Sequence, residues 1–336
     1  MDVVIRPKEE TKRIALPPGE RRLALVLPRK ARILSYPAFL LPDPLNPFSF
    51  HLRGDTEERI LRGTIAFAWR GKEKHCELIL EGEKENPSFS GFHPVFPEHP
   101  LFPRGDSILL APGDYLLEEK VSLTPPFHLV GASGTVLFRE GEVLRIEGEG
   151  EGLVQNVTFS LRGRKSGNVA VVLKSRVVFE GCVFRGGIRE KLSWMGNGVV
   201  AAREASLVFR RCVFLENEAA GILAEEGTAV VVEDSIFVGN RGEGILAKRG
   251  SVLVVRRSRF FSNVWGVTCG GLCLFEGNEI SESTTGGLCL LRGTEGIFGD
   301  NRISRNPVGV VWPRSEDILW GAGNVLEENR IPFLEE

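Results

Sequence analysis

Three six-residue segments near the middle of the chain share one pattern: CVFLEN at 212–217, SIFVGN at 235–240 and SRFFSN at 258–263. The same pattern is found in CVFRGG (182–187), NEISES (278–283), NRISRN (301–306) and NVLEEN (324–329). Most copies are about 23 residues apart. A fixed period of this length is typical of a repeat architecture in which each unit stacks on the next.

Each repeat contains two further apolar segments: one that opens with glycine, such as GILA at 221–224, and a β-branched run, such as 230–232. Strands this short cannot form a stable sheet alone, but stacked coils pair each strand with its equivalent in the next coil. Propeller blades need longer repeats, and leucine-rich repeats need a different spacing of Leu and Asn residues. The pattern therefore predicts an all-β, right-handed parallel β-helix with three short strands per coil.

The period also assigns directions to the side chains. An inward apolar ladder is expected at the third position of each segment: Phe184, Phe214, Phe237, Phe260, Ile280, Ile303 and Leu326. Two residues earlier, small or polar inward residues are expected to bond the turning backbone: Cys182, Cys212, Ser235, Ser258, Asn278, Asn301 and Asn324. Corner asparagines are expected where the strand ends, because Asn tolerates left-handed dihedral angles and bonds the backbone of its neighbours; these are Asn217, Asn240, Asn263, Asn306 and Asn329.

Charges alternate outside the predicted coils. One column contains Glu180, Arg210, Glu233, Arg256 and Glu276, and the next contains Arg211, Asp234 and Arg257. Opposite charges that face each other along a stack favour a surface ion-pair network, so these residues are interpreted as structural.

The repeats resemble those of the pectate-lyase-like superfamily, including its carbohydrate-binding and sugar-hydrolase group. The stretch GDSILLAPGDYLLEEKVSLTPPFHLVGASGTVLF (105–138) resembles the opening coil of such proteins. The resemblance implies the fold over about 105–330. It does not imply one activity, because enzymes and binding modules share these motifs.

The remaining segments lack the repeat. Residues 1–86 are predicted to form a small β-rich domain, because apolar runs alternate with Pro, Gly and charged turns. Residues 87–104 are a Pro- and Phe-rich connector that is expected to cap the first coil of the β-helix at 105–330. Residues 331–336 are interpreted as a C-terminal tail.

Composition narrows the function classes. The net charge of −2 gives no electrostatic reason to expect a nucleic-acid partner, and the sequence contains no Lys/Arg cluster. No apolar run approaches the length of a membrane span. The charged N-terminal sequence predicts a cytoplasmic protein. The six cysteines lack zinc-site spacing, so neither a metal nor a cofactor is expected. Gln155 is the only glutamine, and this scarcity of thermolabile residues predicts a thermophilic source.

Catalytic patterns that the resemblance implies are not found in the repeats. The five histidines lie outside the regular coils, and Asp234, Asp300 and Asp317 occupy different repeat positions, unlike a clustered catalytic or calcium site. Glu225, Glu226 and Glu243 remain as candidates for a carboxylate pair in a glycoside hydrolase or polysaccharide lyase. Because turn glutamates are usually solvated, the non-catalytic interpretation is preferred.

Two features indicate a binding surface for a protein or a glycan. A longer coil after Phe184 inserts RGGIREKLSWMGNG, with Arg185, Arg189, Lys191 and Trp194, on a loop of the kind that often binds ligands. Alternation also sends an apolar column outward, which must be covered by the chain itself or by a partner, including a second subunit: Val200, Leu223, Leu246, Thr268, Cys289 and Val311. Trp265 and Trp312 flank this column, where they extend the surface or join the core. The primary hypothesis is a non-catalytic interaction module.

Overall fold

The computed structural model describes residues 107–335 except 191–194, 314 and 316, and, before residue 107, the strands β1–β9. The chain divides into two compact units, Met1–Ser90 and Gly91–Glu336. Within the described residues, no helix is long and apolar enough to cross a membrane.

The first unit contains two four-stranded sheets, ordered β1-β3-β6-β5 and β2-β8-β7-β4. Its strands are β1 (Asp2–Val4), β2 (Thr11–Leu16), β3 (Arg22–Val26), β4 (Arg32–Ser35), β5 (Leu40–Asp43), β6 (Asn46–Leu52), β7 (Ile60–Trp69) and β8 (Lys72–Gly82).

The second unit is a stack of coils, in which every third strand pairs in parallel with its equivalent in the next coil. Sheet 1 contains β9 (His93–Val95), β10 (Ser107–Leu110), β13 (Phe127–Gly131), β16 (Glu151–Gln155), β19 (Arg176–Glu180), β22 (Ser206–Arg210), β25 (Ala229–Glu233), β28 (Val252–Arg256), β31 (Leu272–Glu276), β34 (Glu295–Gly299) and β37 (Ile318–Trp320). Sheet 2 contains β11 (Gly113–Leu116), β14 (Thr135–Arg139), β17 (Thr158–Leu161), β20 (Val183–Arg185), β23 (Val213–Leu215), β26 (Ile236–Val238), β29 (Arg259–Phe261), β32 (Glu279–Ser281), β35 (Arg302–Ser304) and β38 (Val325–Glu327). Sheet 3 contains β12 (Val121–Leu123), β15 (Leu144–Glu147), β18 (Ala170–Leu173), β21 (Val199–Ala202), β24 (Ile222–Ala224), β27 (Glu243–Ala247), β30 (Trp265–Cys269), β33 (Gly286–Leu290), β36 (Val308–Trp312) and β39 (Ile331–Glu335). The predicted three-stranded coil and all-β class are confirmed.

Aromatic rings stacked along the solenoid axis form its core. Phe237 is fully buried, and its ring centroid lies 4.5 Å from that of Phe214 on one side and 4.5 Å from that of Phe260 on the other. Ile280 and Ile303 continue the ladder and are also buried. This confirms the predicted inward ladder, which brings one core position of every coil into contact with the same position of the next.

A second buried ladder is polar. The backbone N–H of Cys212 donates to Ser235 Oγ at 3.1 Å, and that of Ser235 donates to Ser258 Oγ at 3.1 Å. The same bond reaches Asn278 and Asn301 in the following coils, at 2.9 and 3.0 Å. The prediction that these residues bond the turning backbone is confirmed, and each side chain satisfies a buried donor that would otherwise destabilise the fold.

The corner asparagines form a third ladder, but not for the dihedral reason expected. Asn217 donates through Nδ2 to Asn240 Oδ1 at 2.9 Å, and Asn240 donates to Asn263 in the same way. Positive φ angles occur one residue earlier, at Glu216 (53°) and Ser262 (56°). The expectation of left-handed asparagines is therefore wrong. The asparagine is selected because its amide bonds the neighbouring coil, and the residue before it takes the strained dihedral angle.

Both ends of the coil stack extend past the boundaries that the sequence suggested. His93–Val95, within the predicted connector, pairs with β10, and the Tyr115 hydroxyl donates to the Val95 carbonyl at 2.6 Å. Ile331–Glu335, interpreted from the sequence as a tail, is strand β39 and pairs with β36. A solenoid end tends to recruit flanking chain, because an unpaired strand edge is unfavourable.

Candidate functional site

The outer face of sheet 3 carries the apolar column that the sequence analysis singled out. Backbone register stacks Val200 on Leu223, Leu223 on Leu246 and so on through Val311. Leu223 is only 2% exposed and Val311 only 4% exposed, whereas Val200 and Leu246 are half-buried. The column is therefore more protected than an ordinary solvent-facing sheet, and it forms an apolar floor.

Trp265 lies beside this floor, in a neighbouring outer column. Register places Glu243 before it and Gly286 after it along the stack. A Cβ atom added at Gly286 would collide with the six-membered ring of Trp265, so the indole lies directly over the Gly286 backbone. The glycine allows a half-buried aromatic ring to lie along the sheet, which makes Trp265 a platform on this face.

Glu243 is the carboxylate closest to this platform in the backbone register. Burial raises the pKa of the Glu243 carboxyl above its ordinary value, and a hydrogen bond from its own backbone and the positive charge of Arg189 oppose this shift only in part. On the other side of Glu243, the equivalent position of the preceding coil is Ala220, which is 1% exposed and too small to donate a side-chain hydrogen bond. The carboxylate is therefore desolvated, and its ionisation costs more free energy than that of an exposed carboxyl.

The insertion after Phe184 is anchored next to this carboxylate. The Arg189 backbone N–H donates to Glu218 Oε2 at 2.9 Å, and the Gly187 N–H donates to Asn217 Oδ1 at 3.0 Å. The Arg189 side chain is exposed. The structure thus brings Arg189, Glu243 and Trp265 to one edge of sheet 3.

Other predicted site residues lie elsewhere. Arg185 belongs to sheet 2, where its Nε donates to Ser160 Oγ at 3.2 Å. Lys191 and Trp194 lie outside the described residues, so their part in the site stays a prediction.

Trp312 does not extend the outer face. It lies two residues after the inward Val310, so alternation turns it inward, and its ring packs against the core. Its centroid is 5.6 Å from Trp320 and 6.1 Å from Phe333, in an aromatic cluster near the last coil. Trp312 therefore joins the core, and it does not belong to the ligand surface for which the sequence made it a candidate.

Two of the candidate catalytic glutamates, Glu225 and Glu243, lie at opposite ends of the sheet 3 strands. Glu225 accepts a bond from Lys248 Nζ at 2.7 Å, and Glu226 is exposed. Glu243 precedes Lys248 by five residues on a strand, so at a rise of about 3.3 Å per residue their backbones are about 16 Å apart. The separations used by glycosidases are about 5 to 9.5 Å. In the part of the chain that the structure describes, no three His, Cys, Asp or Glu side chains converge as a metal site would require.

The charge columns of sheet 1 are an ion-pair network, as predicted. Arg210 Nε lies 3.2 Å from Glu233, and Arg256 Nε lies 3.2 Å from Glu276. In the neighbouring column, Arg257 binds Asp234 through two bonds of 2.8 and 3.0 Å. These charges neutralise one another and offer no unpaired group for chemistry.

Comparison with known proteins agrees with this architecture. A family model described as a right handed beta helix region matches residues 138–272. The fold is a right-handed parallel β-helix. The A-module of the mannuronan C-5 epimerase AlgE6 from Azotobacter vinelandii has this fold, with 15% identity, a TM-score of 0.52 and coverage of 66% of this chain and 68% of that chain.

Weaker structural similarity extends to other proteins. The periplasmic alginate epimerase AlgG, as a double mutant, is 12% identical with a TM-score of 0.42 and coverage of 78% and 82%. The Dettilon tailspike protein is 11% identical with a TM-score of 0.37 and coverage of 67% and 62%. No curated protein matches the sequence. At these identities the likeness shows the fold alone.

Proposed function

We propose that the chain is a non-catalytic interaction module that binds a glycan on the outer face of sheet 3. The observation that carries the proposal is the Trp265 ring, which lies over the Gly286 backbone next to Glu243, the carboxylate whose charge Arg189 stabilises. An aromatic face packs against the apolar face of a sugar ring, and a carboxylate and a guanidinium bind its hydroxyl groups. A few placed polar groups around an apolar surface are typical of ligand sites.

A glycan fits this face better than a protein does. The apolar floor is bordered by Glu243 on one side and by the Glu225–Lys248 pair on the other, so a narrow apolar strip is enclosed by polar groups. Protein interfaces instead concentrate a broad apolar core inside a polar rim. The insertion that carries Lys191 and Trp194 is proposed to add contacts at the Arg189 end.

One observation favours the alternative of a glycoside hydrolase or polysaccharide lyase. A carboxyl with a raised pKa, such as that of Glu243, suits general acid catalysis. Glu225, the other candidate carboxylate that is held by an ion pair, binds Lys248 at the opposite end of the sheet 3 strand, and Glu218 beside Glu243 already accepts the Arg189 N–H. Binding without turnover is therefore the primary proposal.

The test is a glycan array followed by calorimetric titration of the best oligosaccharide. Trp265→Ala is expected to weaken binding by at least about tenfold, since an anchoring aromatic contributes about 1.4 kcal/mol or more. Phe261→Ala is the matched control, because Phe261 is an exposed aromatic residue on sheet 2 and its loss should leave affinity unchanged. Equal effects of the two variants, or no oligosaccharide bound, would refute the proposal.

Turnover is measured on the same bound oligosaccharide by mass spectrometry of the products. We expect the substrate to be recovered intact after long incubation. Cleaved or epimerised products that vanish in Glu243→Gln would replace the binding module with an enzyme.

A further inference from the structure

The outer face of sheet 1 carries a second apolar column, separate from the proposed glycan site. The register stacks equivalent outward residues through eight consecutive coils. They are Leu153, Val178, Val208, Val231, Val254, Leu274, Ile297 and Leu319. Every member is aliphatic, which an exposed strand position does not require.

Within residues 107–335, as far as the structure describes them, no segment of the solenoid unit fully covers this column. Ile297 is 52% exposed and Leu319 is 62% exposed, and on the flanking column Val252 is 40% and Leu272 is 51% exposed. The other members of the central column are half-buried. Single exposed aliphatic residues are ordinary, but a continuous aliphatic strip marks an interaction surface.

The two flanks of the strip differ from each other. On one side lie the alternating charges Glu180, Arg210, Glu233, Arg256 and Glu276. On the other side the column is small or apolar in its middle, at Ser206, Ala229, Val252 and Leu272, and is charged at Arg176 and Glu295. Any occupant must therefore match an alternating charge pattern along one edge and an apolar surface along the other.

We propose that the occupant is a second copy of this chain, packed face to face with its solenoid axis antiparallel. The two-fold axis passes between the coil of Val231 and the coil of Val254. Each aliphatic residue then meets an aliphatic residue, with Val231 opposite Val254 and Val208 opposite Leu274 of the second copy. On the charged flank, Glu233 faces Arg256 and Arg210 faces Glu276.

The alternation of charge makes this arrangement self-complementary. A two-fold axis between adjacent coils places Glu233 opposite Arg256 and Arg210 opposite Glu276, as an isologous interface requires, and Glu180 opposite the uncharged Gly299. A parallel arrangement would instead place the charged flank of one copy against the apolar flank of the other. That would bury the ion pairs of one copy against aliphatic side chains of the other, so the charges would lose water without gaining a new partner, which is unfavourable.

The surface is large enough for a stable dimer. Eight coils spaced about 4.8 Å apart and strands about 16 Å long give about 600 Å² per copy, or about 1,200 Å² in total. Specific interfaces begin at about this size.

Light scattering coupled to size exclusion tests the dimer on the full chain. We expect the wild-type protein to have twice the 37.1 kDa mass of one chain at micromolar concentration. Val231→Lys should raise the dimer dissociation constant by at least about 100-fold, because the symmetric interface would bury two unpaired ammonium groups. The matched control is Val238→Lys, since Val238 is a half-buried outward residue on sheet 2 and its substitution should leave the dimer intact.

The direction of packing is tested by disulfide cross-linking. Val208→Cys combined with Leu274→Cys should give a covalent dimer under oxidation, because these positions face each other across the axis. Val208→Cys alone should not cross-link, since its two copies would be about three coils, or about 14 Å, apart. A monomeric wild-type protein, equal effects of the two lysine variants, or a cross-link through Val208→Cys alone would each overturn the proposal. Glycan binding by a monomer would leave the proposed function unaffected.

Discussion

The outer faces of sheets 1 and 3 have similar apolar centres but different surroundings. On sheet 1, the central outward column is aliphatic in every coil from Leu153 to Leu319, and the charges beside it alternate regularly from Glu180 to Glu276. On sheet 3 the regularity is broken by Glu243, Trp265 and Gly286, and by an inserted loop at its edge. A regular face can match another regular face, whereas a face with unique residues can bind one ligand at one place. In a solenoid, departures from the repeat are therefore the more informative guide to a ligand site.

The largest effect is expected from a substitution in the solenoid core, which supports the outer faces of both sheet 1 and sheet 3. Phe237→Ala removes a fully buried ring that stacks at 4.5 Å on each side, and it should lower the free energy of unfolding by about 3–5 kcal/mol. Chemical denaturation measures this, with Phe261→Ala as the exposed control on sheet 2. A loss below about 1 kcal/mol would show that the faces are supported independently of the aromatic stack.

A smaller and pH-dependent effect distinguishes sheet 3. Burial raises the folded-state pKa of Glu243 above 4.5, its unperturbed value, so ionisation of this carboxyl destabilises the fold as the pH rises through the raised pKa. Glu243→Gln is therefore expected to be more stable than the wild type at neutral pH and equal to it well below pH 4.5. Thermal unfolding across the acid range measures the difference. A variant that is less stable at neutral pH would mean that the charged form is favourably bound.

The smallest effect, of opposite sign, is expected beside sheet 1. Arg257 lowers the pKa of Asp234 below 3.8, so the pair stabilises the fold above that pH and the contribution is lost as the pH falls. Because both groups are exposed, Asp234→Asn should cost less than about 1 kcal/mol at neutral pH, and added salt should reduce the cost. Denaturation curves at low and high salt provide the measurement. The same cost at both salt concentrations would rule out a screened ion pair.

Much of the solenoid interior could be predicted from the sequence. A residue class that recurs at one position of every repeat has a single physical explanation, which is a ladder of stacked side chains. Phe237 and Ser235 recur at fixed positions, and coil stacking turns that recurrence directly into contact. The left-handed residue before each corner was missed, because its identity varies from Glu216 to Ser262. Only the backbone angle is shared there, and the amino-acid sequence does not display it.

The candidate site was harder to predict, for two reasons. Trp312 was left open between the surface and the core although strict alternation from Val310 turns it inward, so the signal was present in the sequence. The outward column of sheet 1 was missed because a run such as 252–255 is apolar on both faces, and its inward and outward members look alike. The contact of Trp265 with Gly286 could have been found by comparing the same repeat position in successive coils.

The buried polar ladder also has a direction. In each coil the backbone N–H donates to a side-chain oxygen that is supplied by the following coil, from Cys212 to Ser235 and onward to Asn301. Synthesis on the ribosome produces the coils in this same order. Each completed coil therefore has a free backbone donor at its corner until the next coil is synthesised. The next coil then supplies the side-chain oxygen that accepts the hydrogen bond. Such a chain can fold during synthesis, one coil at a time, with the last folded coil as the template for the next.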